Sequence, residues 1–195
     1  TSLVEAKPMV RYSLESGEVI DSHLPGIYNF ENIQLAIAVG KFFALSDDQC
    51  NTGISTYVPN NHRSQFIKIG SNQVLMDAYN ANPSSMSAAI SHFAETEGTP
   101  KLVILGDMFE LGDSSIEEHA ALGKLIAGLS FEKVLLVGQN MQHALIHLPS
   151  AYYFPDKFGL HIWLQDHPIP DSFLLVKGSR GIQLESVLAF LENSK

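Results

Sequence analysis

The chain has 195 residues, 45% of them apolar, and a formal net charge of −9. That length can bury a full core, enough for one large domain or one domain with a piece of another, while the acidic balance and the lack of any basic run make nucleic acid and anionic membrane surfaces poor partners. A lone cysteine, Cys50, excludes an intrachain disulfide and favours a reduced, cytoplasmic setting, and no apolar run approaches the roughly 18–20 residues of a membrane span.

The chain opens TSLVEAKPMVRYSL, without an initiator methionine, which suits a processed protein or a piece of a longer one. Residues 1–23 read as short strands, VRYSL and VIDS, around the turn ESGE. LPGIYN (24–29) is a turn, and the apolar spacing of 31–45 predicts a helix. Ser46 with Gln49 three residues on predicts the N-cap of a second short helix. The polar, turn-rich stretch 58–65, VPNNHRSQ, reads as a linker or hinge.

Beyond residue 66 the rhythm changes. FIKIG and NQVLMDA predict a hairpin joined at Gly70-Ser71-Asn72. A helix (84–95), a strand KLVILG (101–106), a helix (115–128) and a strand KVLLVG (133–138) follow. Then come a helix (139–147), a weaker strand HIWL (161–164), a strand SFLLVKG (172–178) and a helix (182–193). Continuously apolar strands alternating with helices predict an α/β fold, a doubly wound, mostly parallel sheet covered on both faces.

Such sheets bind ligands outside the carboxyl ends of their strands. There lie Asp77 to Asn82, Gly106-Asp107-Met108, Gly138-Gln139-Asn140 and Lys177-Gly178-Ser179-Arg180. Asn80 and Asn82 read equally well as turn formers and helix caps or as residues of a binding site. In KGSR, two cations beside a hydroxyl suit a carboxylate or a phosphate, although a solvated loop would look the same. His143 and His147 have helical i, i+4 spacing but no accompanying HExxH pattern, so they read as solvent-exposed rather than as metal ligands. His119 has no assignable chemistry, and the acidic stretch ELGDSSIEEH is explained by a helix start. Neither GxxxxGK[ST] nor GxGxxG occurs.

In order, the motifs are LPGIYNFENIQLAIAVG, NNHRSQ, DAYNANPSSMSAAI, LGDMFELG, HAALG and LVKGSRGIQLE. This series resembles the C-terminal part of the Mur ligases, and within them the branch that joins D-alanyl-D-alanine to UDP-N-acetylmuramoyl-tripeptide. The resemblance implies that residues 1–62 are the tail of a central ATP-binding domain and 63–195 a Rossmann-like C-terminal domain. It implies a cytoplasmic ATP-dependent amide ligase of peptidoglycan synthesis. ATP activates the tripeptide carboxylate as an acyl phosphate, and the dipeptide amine displaces phosphate. The family's phosphate loop and its Mg2+ ligands would lie upstream, so this chain alone is expected to lack ligase and ATPase activity.

Carried over by position, Asn29 and Asn32 of GIYNFEN would face the adenine, with Tyr28 where the family usually has histidine. Arg63 would reach the γ-phosphate as the catalytic cation, and Asp77 would hold the ribose hydroxyls. Tyr79 and Asn80 would line the nucleotide, Asn82 the amine side of the cleft. Lys177, Ser179 and Arg180 would take the dipeptide carboxylate. A folylpolyglutamate synthetase-like ligase and a non-catalytic, receiver-type module are the competing readings. DAYNANP and LVKGSR weigh against the first. The second usually places an acidic pair after its first strand, which DAYN lacks.

Overall fold

The computed structural model describes residues 1–60 and 62–192. The chain divides into two compact units, Thr1–Asn60 and Asn61–Lys195.

In the first unit, β1 (Ser2–Glu5), β2 (Met9–Ser13) and β3 (Val19–Pro25) form an antiparallel sheet in that order. Helices α1 (Tyr28–Phe42) and α2 (Asp47–Thr56) complete the unit. Val10, Tyr12, Ile33, Ile37 and Cys50 form its core. The predicted capping box is present: Ser46 Oγ accepts the Gln49 N–H, and Gln49 Oε1 accepts the Ser46 N–H. All four residues of β1 are exposed, without the apolar alternation that marks a strand in sequence. Helix α1 begins three residues earlier than its apolar spacing suggests. Asn29 Nδ2 donates to Pro25 O at 2.6 Å and draws the turn into the first helical residues.

The second unit holds a six-stranded sheet in the order β4 (Gln65–Ile69), β5 (Asn72–Asp77), β9 (Phe173–Lys177), β6 (Lys101–Gly106), β7 (Lys133–Val137), β8 (Tyr152–Phe154). Strands β4 and β5 pair antiparallel as the expected hairpin, and all other pairs are parallel. Alternate residues of each strand enter opposite apolar layers. Val74, Ile104, Leu135 and Leu174 face one layer, to which α5 (Lys157–Asp166) contributes Leu160 and Leu164. Leu75, Val103, Leu136 and Leu175 face the other, to which α3 (Pro83–Glu95) and α4 (Ser115–Ala127) contribute Ile90 and Leu122. The chain winds outward through β6, β7 and β8, then returns to place β9 between β5 and β6. That reversal creates the crevice of a doubly wound sheet at the carboxyl ends of the central strands.

Three expected elements differ. HIWL is helical, the middle of α5, because the Asp156 side chain accepts the N–H groups of Phe158 and Gly159 and starts a helix that buries Leu160 and Leu164. The edge strand is instead Tyr152–Phe154, whose three residues pair with Leu135–Val137. Residues Asn140–Ile146 form a 3-10 helix rather than an α-helix. The expected helix 182–193 is broken by Gln183, whose φ of +58° is left-handed. It resolves into 3-10 turns at Arg180–Ile182 and Leu184–Val187 and one short helix, α6 (Leu188–Leu191); residue 193 lies outside the described residues.

Candidate functional site

The carboxyl ends of β5, β9 and β6 are tied together by side chains of the loops that follow them. Asp77 and Lys177 are register partners on adjacent parallel strands. Lys177 Nζ donates to Asp77 Oδ2 at 2.5 Å and to Asn80 O at 3.2 Å. The Lys177 side chain is 2% exposed and that of Asp77 15%. A buried ammonium is strongly unfavourable alone, so this pair is a unit: removing one partner would strand the other. The second Asp77 oxygen, Oδ1, accepts the Ser64 N–H at 2.9 Å. The carboxylate therefore bridges the end of β9 to the segment that enters β4.

Ser64 is preceded by Arg63, whose guanidinium carbon lies 3.5 Å from the centre of the Tyr79 ring. The guanidinium carbon of Arg180 lies 5.1 Å from the same ring. Two exposed cations thus share one aromatic ring. Both guanidiniums put positive charge at this carboxyl edge, where an anionic group would be favoured.

The other expected residues shape the loops. Asn80 Oδ1 accepts the Ala81 N–H. Asn82 caps α3, its Oδ1 accepting the Ser85 N–H at 2.8 Å while Ser85 Oγ accepts the Asn82 N–H, with Pro83 in the first turn. Ser179 is buried; its Oγ accepts the Phe109 N–H at 2.9 Å and donates to Ala81 O at 3.5 Å. The structure therefore brings together Arg63, Asp77, Tyr79, Asn80, Lys177 and Arg180, and leaves only the two arginines as exposed cations among them. In the first unit, Asn32 Nδ2 donates to Asn29 Oδ1 at 3.1 Å; Asn29 is buried and Asn32 exposed.

Two residues at this edge lacked a role in the sequence. Asp107, 3% exposed, accepts the N–H groups of Asn140 and Met141 and the Asn140 side-chain amide, anchoring the 3-10 helix after β7. Gly138 makes room for it. A Cβ there would sit 2.4 Å from the Asp107 carboxyl carbon, and its φ is +117°. His119, fully buried, accepts the Met108 N–H on Nε2 at 3.1 Å, and its Nδ1 lies 2.7 Å from Ser115 O. A carbonyl requires a donor, so Nδ1 donates to Ser115 O while Nε2 accepts from Met108. Beside them lies a pocket of about 420 Å³ lined by Phe109, Asn140, Lys157, Phe158, Gly181 and Ile182, among others.

Among the described residues no group of three or more His, Cys, Asp or Glu could hold a metal ion, and no helix is long and apolar enough to cross a membrane. With Asp77 engaged by Lys177 and Ser64, and Asp107 by backbone amides, the carboxylates of this edge do not fit a divalent cation.

The chain is 31% identical over 177 residues to the UDP-N-acetylmuramoyl-tripeptide–D-alanyl-D-alanine ligase of Bacillus subtilis, covering 87% of this chain and 39% of that protein. Among solved structures, a MurF from Acinetobacter baumannii superposes with a TM-score of 0.79 at 29% identity, over 94% of this chain and 41% of that one. A MurF ligase from Thermotoga maritima in complex with ADP has the same fold, with a TM-score of 0.78 at 18% identity over 100% of this chain and 45% of that one. The chain thus spans about two-fifths of the length of the relatives it matches. Residues 62–180 match the Mur ligase, glutamate ligase domain, and the chain belongs to the Mur ligase family.

Proposed function

We propose that this chain is the carboxyl-terminal portion of an ATP-dependent ligase that joins D-alanyl-D-alanine to UDP-N-acetylmuramoyl-tripeptide in the cytoplasm, for peptidoglycan synthesis. ATP phosphorylates the tripeptide carboxylate, and the dipeptide amine attacks the acyl phosphate, giving an amide, ADP and phosphate. The observation that carries the reading is the pair of guanidiniums, Arg63 and Arg180, on the Tyr79 ring at the carboxyl edge of β5 and β9. Phosphoryl transfer and amide formation both need preorganised positive charge there.

In this reading Arg63 meets the γ-phosphate, its planar fork holding two oxygens at once. Asp77 accepts the ribose hydroxyls with its remaining lone pairs, and Tyr79 and Asn80 border the nucleotide. Arg180 takes the dipeptide carboxylate, with the pocket that begins at Gly181 and Ile182 next to it. Ser179 and Asn82 hold the loops that present it. Mg2+ accompanies ATP on ligands outside this chain.

The test is a ligation assay on a protein that joins this chain to the remaining three-fifths its relatives carry. ADP release that requires both the UDP-linked tripeptide and D-alanyl-D-alanine supports the reading. Release driven by a folate and glutamate instead would replace it with the folylpolyglutamate synthetase-like alternative.

A further inference from the structure

We infer that Lys177 is a positioning residue that acts through Asp77 to lock Arg63 over Tyr79, rather than a ligand of any substrate. The geometry belongs to this chain alone; its catalytic consequence rests on the ligase reading above.

The side chain of Lys177 is 2% exposed, and its ammonium is aimed at one carboxylate oxygen and one carbonyl, Asp77 Oδ2 and Asn80 O. Reaching a substrate carboxylate would mean leaving Asp77 without its buried partner. The other carboxylate oxygen holds the Ser64 N–H. Lys177 therefore fixes the rotamer of Asp77, and Asp77 fixes Ser64. Register requires this order: Gln65 pairs with Met76, so Ser64 arrives beside Asp77 as the ladder of β4 and β5 ends, and Asp77 is paired with Lys177 on the far side.

What is being fixed is an unfavourable backbone. His62 and Ser64, which flank Arg63, have φ of +58° and +47°, left-handed values that side-chain-bearing residues rarely adopt. Such a conformation persists where its surroundings over-determine it. Three contacts do so here: Ser64 N–H to Asp77, His62 N–H to Gln65 Oε1 at 3.4 Å, and the Arg63 guanidinium 3.5 Å from the Tyr79 ring centre. Without the Lys177–Asp77 pair the segment relaxes toward ordinary backbone and Arg63 leaves the ring. A buried ion pair is thereby converted into the placement of an exposed cation about one strand away.

The first test is NMR on the 195-residue chain. The Ser64 amide should exchange slowly, and the Arg63 Nε–H should be shifted upfield by the Tyr79 ring; absence of both in the unmodified chain overturns the inference. In Lys177→Met, Ser64 protection should fall by about tenfold or more, as one hydrogen bond is loosened. The Arg63 shift should collapse while amides of β6 and β7 keep their protection. Unchanged Ser64 and Arg63 signals overturn it. If Lys177→Met does not fold, the double variant Asp77→Ala/Lys177→Met, which strands no charge, should fold and show the same two losses; their retention overturns the inference. The second test is kinetic, in the joined ligase. Lys177→Met should lower kcat by about tenfold or more and leave KM for D-alanyl-D-alanine within about twofold. In an Arg63→Ala background it should lower kcat no further, a coupling that a general loss of stability would not produce. A raised dipeptide KM with kcat preserved would return Lys177 to the carboxylate and overturn the inference. A joined protein inactive before any substitution counts against the ligase reading, and the NMR result then decides the positioning role by itself.

Discussion

His119 Nε2 accepts the backbone N–H of Met108 across 3.1 Å of fully buried space, joining the middle of one turn of α4 to the loop that leaves β6. The bond fixes the loop in which Asp107 anchors the 3-10 helix and Phe109 meets Ser179. His119→Ala would leave the Met108 N–H buried without a partner. The expected loss is about 1–3 kcal/mol for the unsatisfied donor, with more for the cavity. Glutamine can offer a carbonyl oxygen at nearly the same reach, so His119→Gln should recover much of the loss. Chemical denaturation of the three proteins checks this, and equal stability of His119→Ala and the parent would remove the anchoring role.

Tyr12 plays a similar part in the first unit. Its hydroxyl donates to Asn51 Oδ1 at 2.9 Å, and the side chain is fully buried. Tyr12→Phe would leave that carbonyl without its donor, at a cost of about 1–3 kcal/mol. Burial, then the neighbouring Cys50, push the Tyr12 hydroxyl up to about 12. The folded state thus keeps the proton after the unfolded chain has released it. Stability should be undiminished below about pH 10, the ordinary tyrosine value, and should fall as pH rises from there toward 12. Tyr12→Phe should flatten that alkaline fall, measured as melting temperature against pH; an unchanged slope would assign it to other groups.

Much of this edge was legible in the sequence because its signals are local. A continuously apolar run such as FLLV, followed by Lys177 and Gly178, marks both a buried strand and the loop at its carboxyl end. The Ser46 capping box was likewise readable from two residues at fixed spacing. Partners were not. Nothing local says that Lys177 turns inward to Asp77, a hundred residues earlier, so its charge reads as available for a substrate. HIWL misleads for a related reason: its β-branched and aromatic residues favour a strand, yet Asp156 just before it starts a helix that tertiary packing completes. The true edge strand, three residues long, is too short to carry a period.

His161 supplies an acid-side prediction. Its Nε2 lies 3.0 Å from Ser186 Oγ and its ring stacks on Phe190 at 4.4 Å. Burial lowers its affinity for a proton below the usual histidine value, and nearby Lys157 lowers it further, against a smaller opposing effect of Asp156. The unfolded chain therefore binds the proton first as pH falls. The stability that neutral His161 contributes is complete above about pH 6.5 and is lost progressively below it, toward the lowered folded value. His161→Phe should make melting temperature less pH-dependent between about 7.5 and 5 than in the parent. A steeper acid slope in the variant would show the sign to be wrong.

Arg180 can be separated from Arg63 by substrate, given the proposed ligase. If it takes the dipeptide carboxylate, Arg180→Ala should raise KM for D-alanyl-D-alanine by about tenfold or more, the scale of one charge-assisted bond, and leave KM for ATP near its starting value. Initial rates with each substrate varied in turn decide this. An equal rise in both constants would mean that Arg180 acts on Tyr79 and the loop rather than on the dipeptide.

Arg63 should show the larger and different effect. Its guanidinium is already held 3.5 Å from the Tyr79 ring centre, beside an amide fixed by Asp77. Little reorganisation then remains when charge develops on the transferring phosphoryl group, which is the condition under which a single donor contributes most. Arg63→Ala in the joined ligase should cost about 2.7–4 kcal/mol of barrier, by analogy with loss of one preorganised donor. That is on the order of a hundredfold to a thousandfold in kcat. Arg63→Lys should recover only part, because an ammonium cannot hold two phosphate oxygens in one plane and stacks less well on the ring. Melting temperature should barely change, since the side chain is exposed and no core contact is lost. A kcat within about threefold of the parent, under ~1 kcal/mol of barrier, would leave Arg63 as a surface cation resting on a tyrosine.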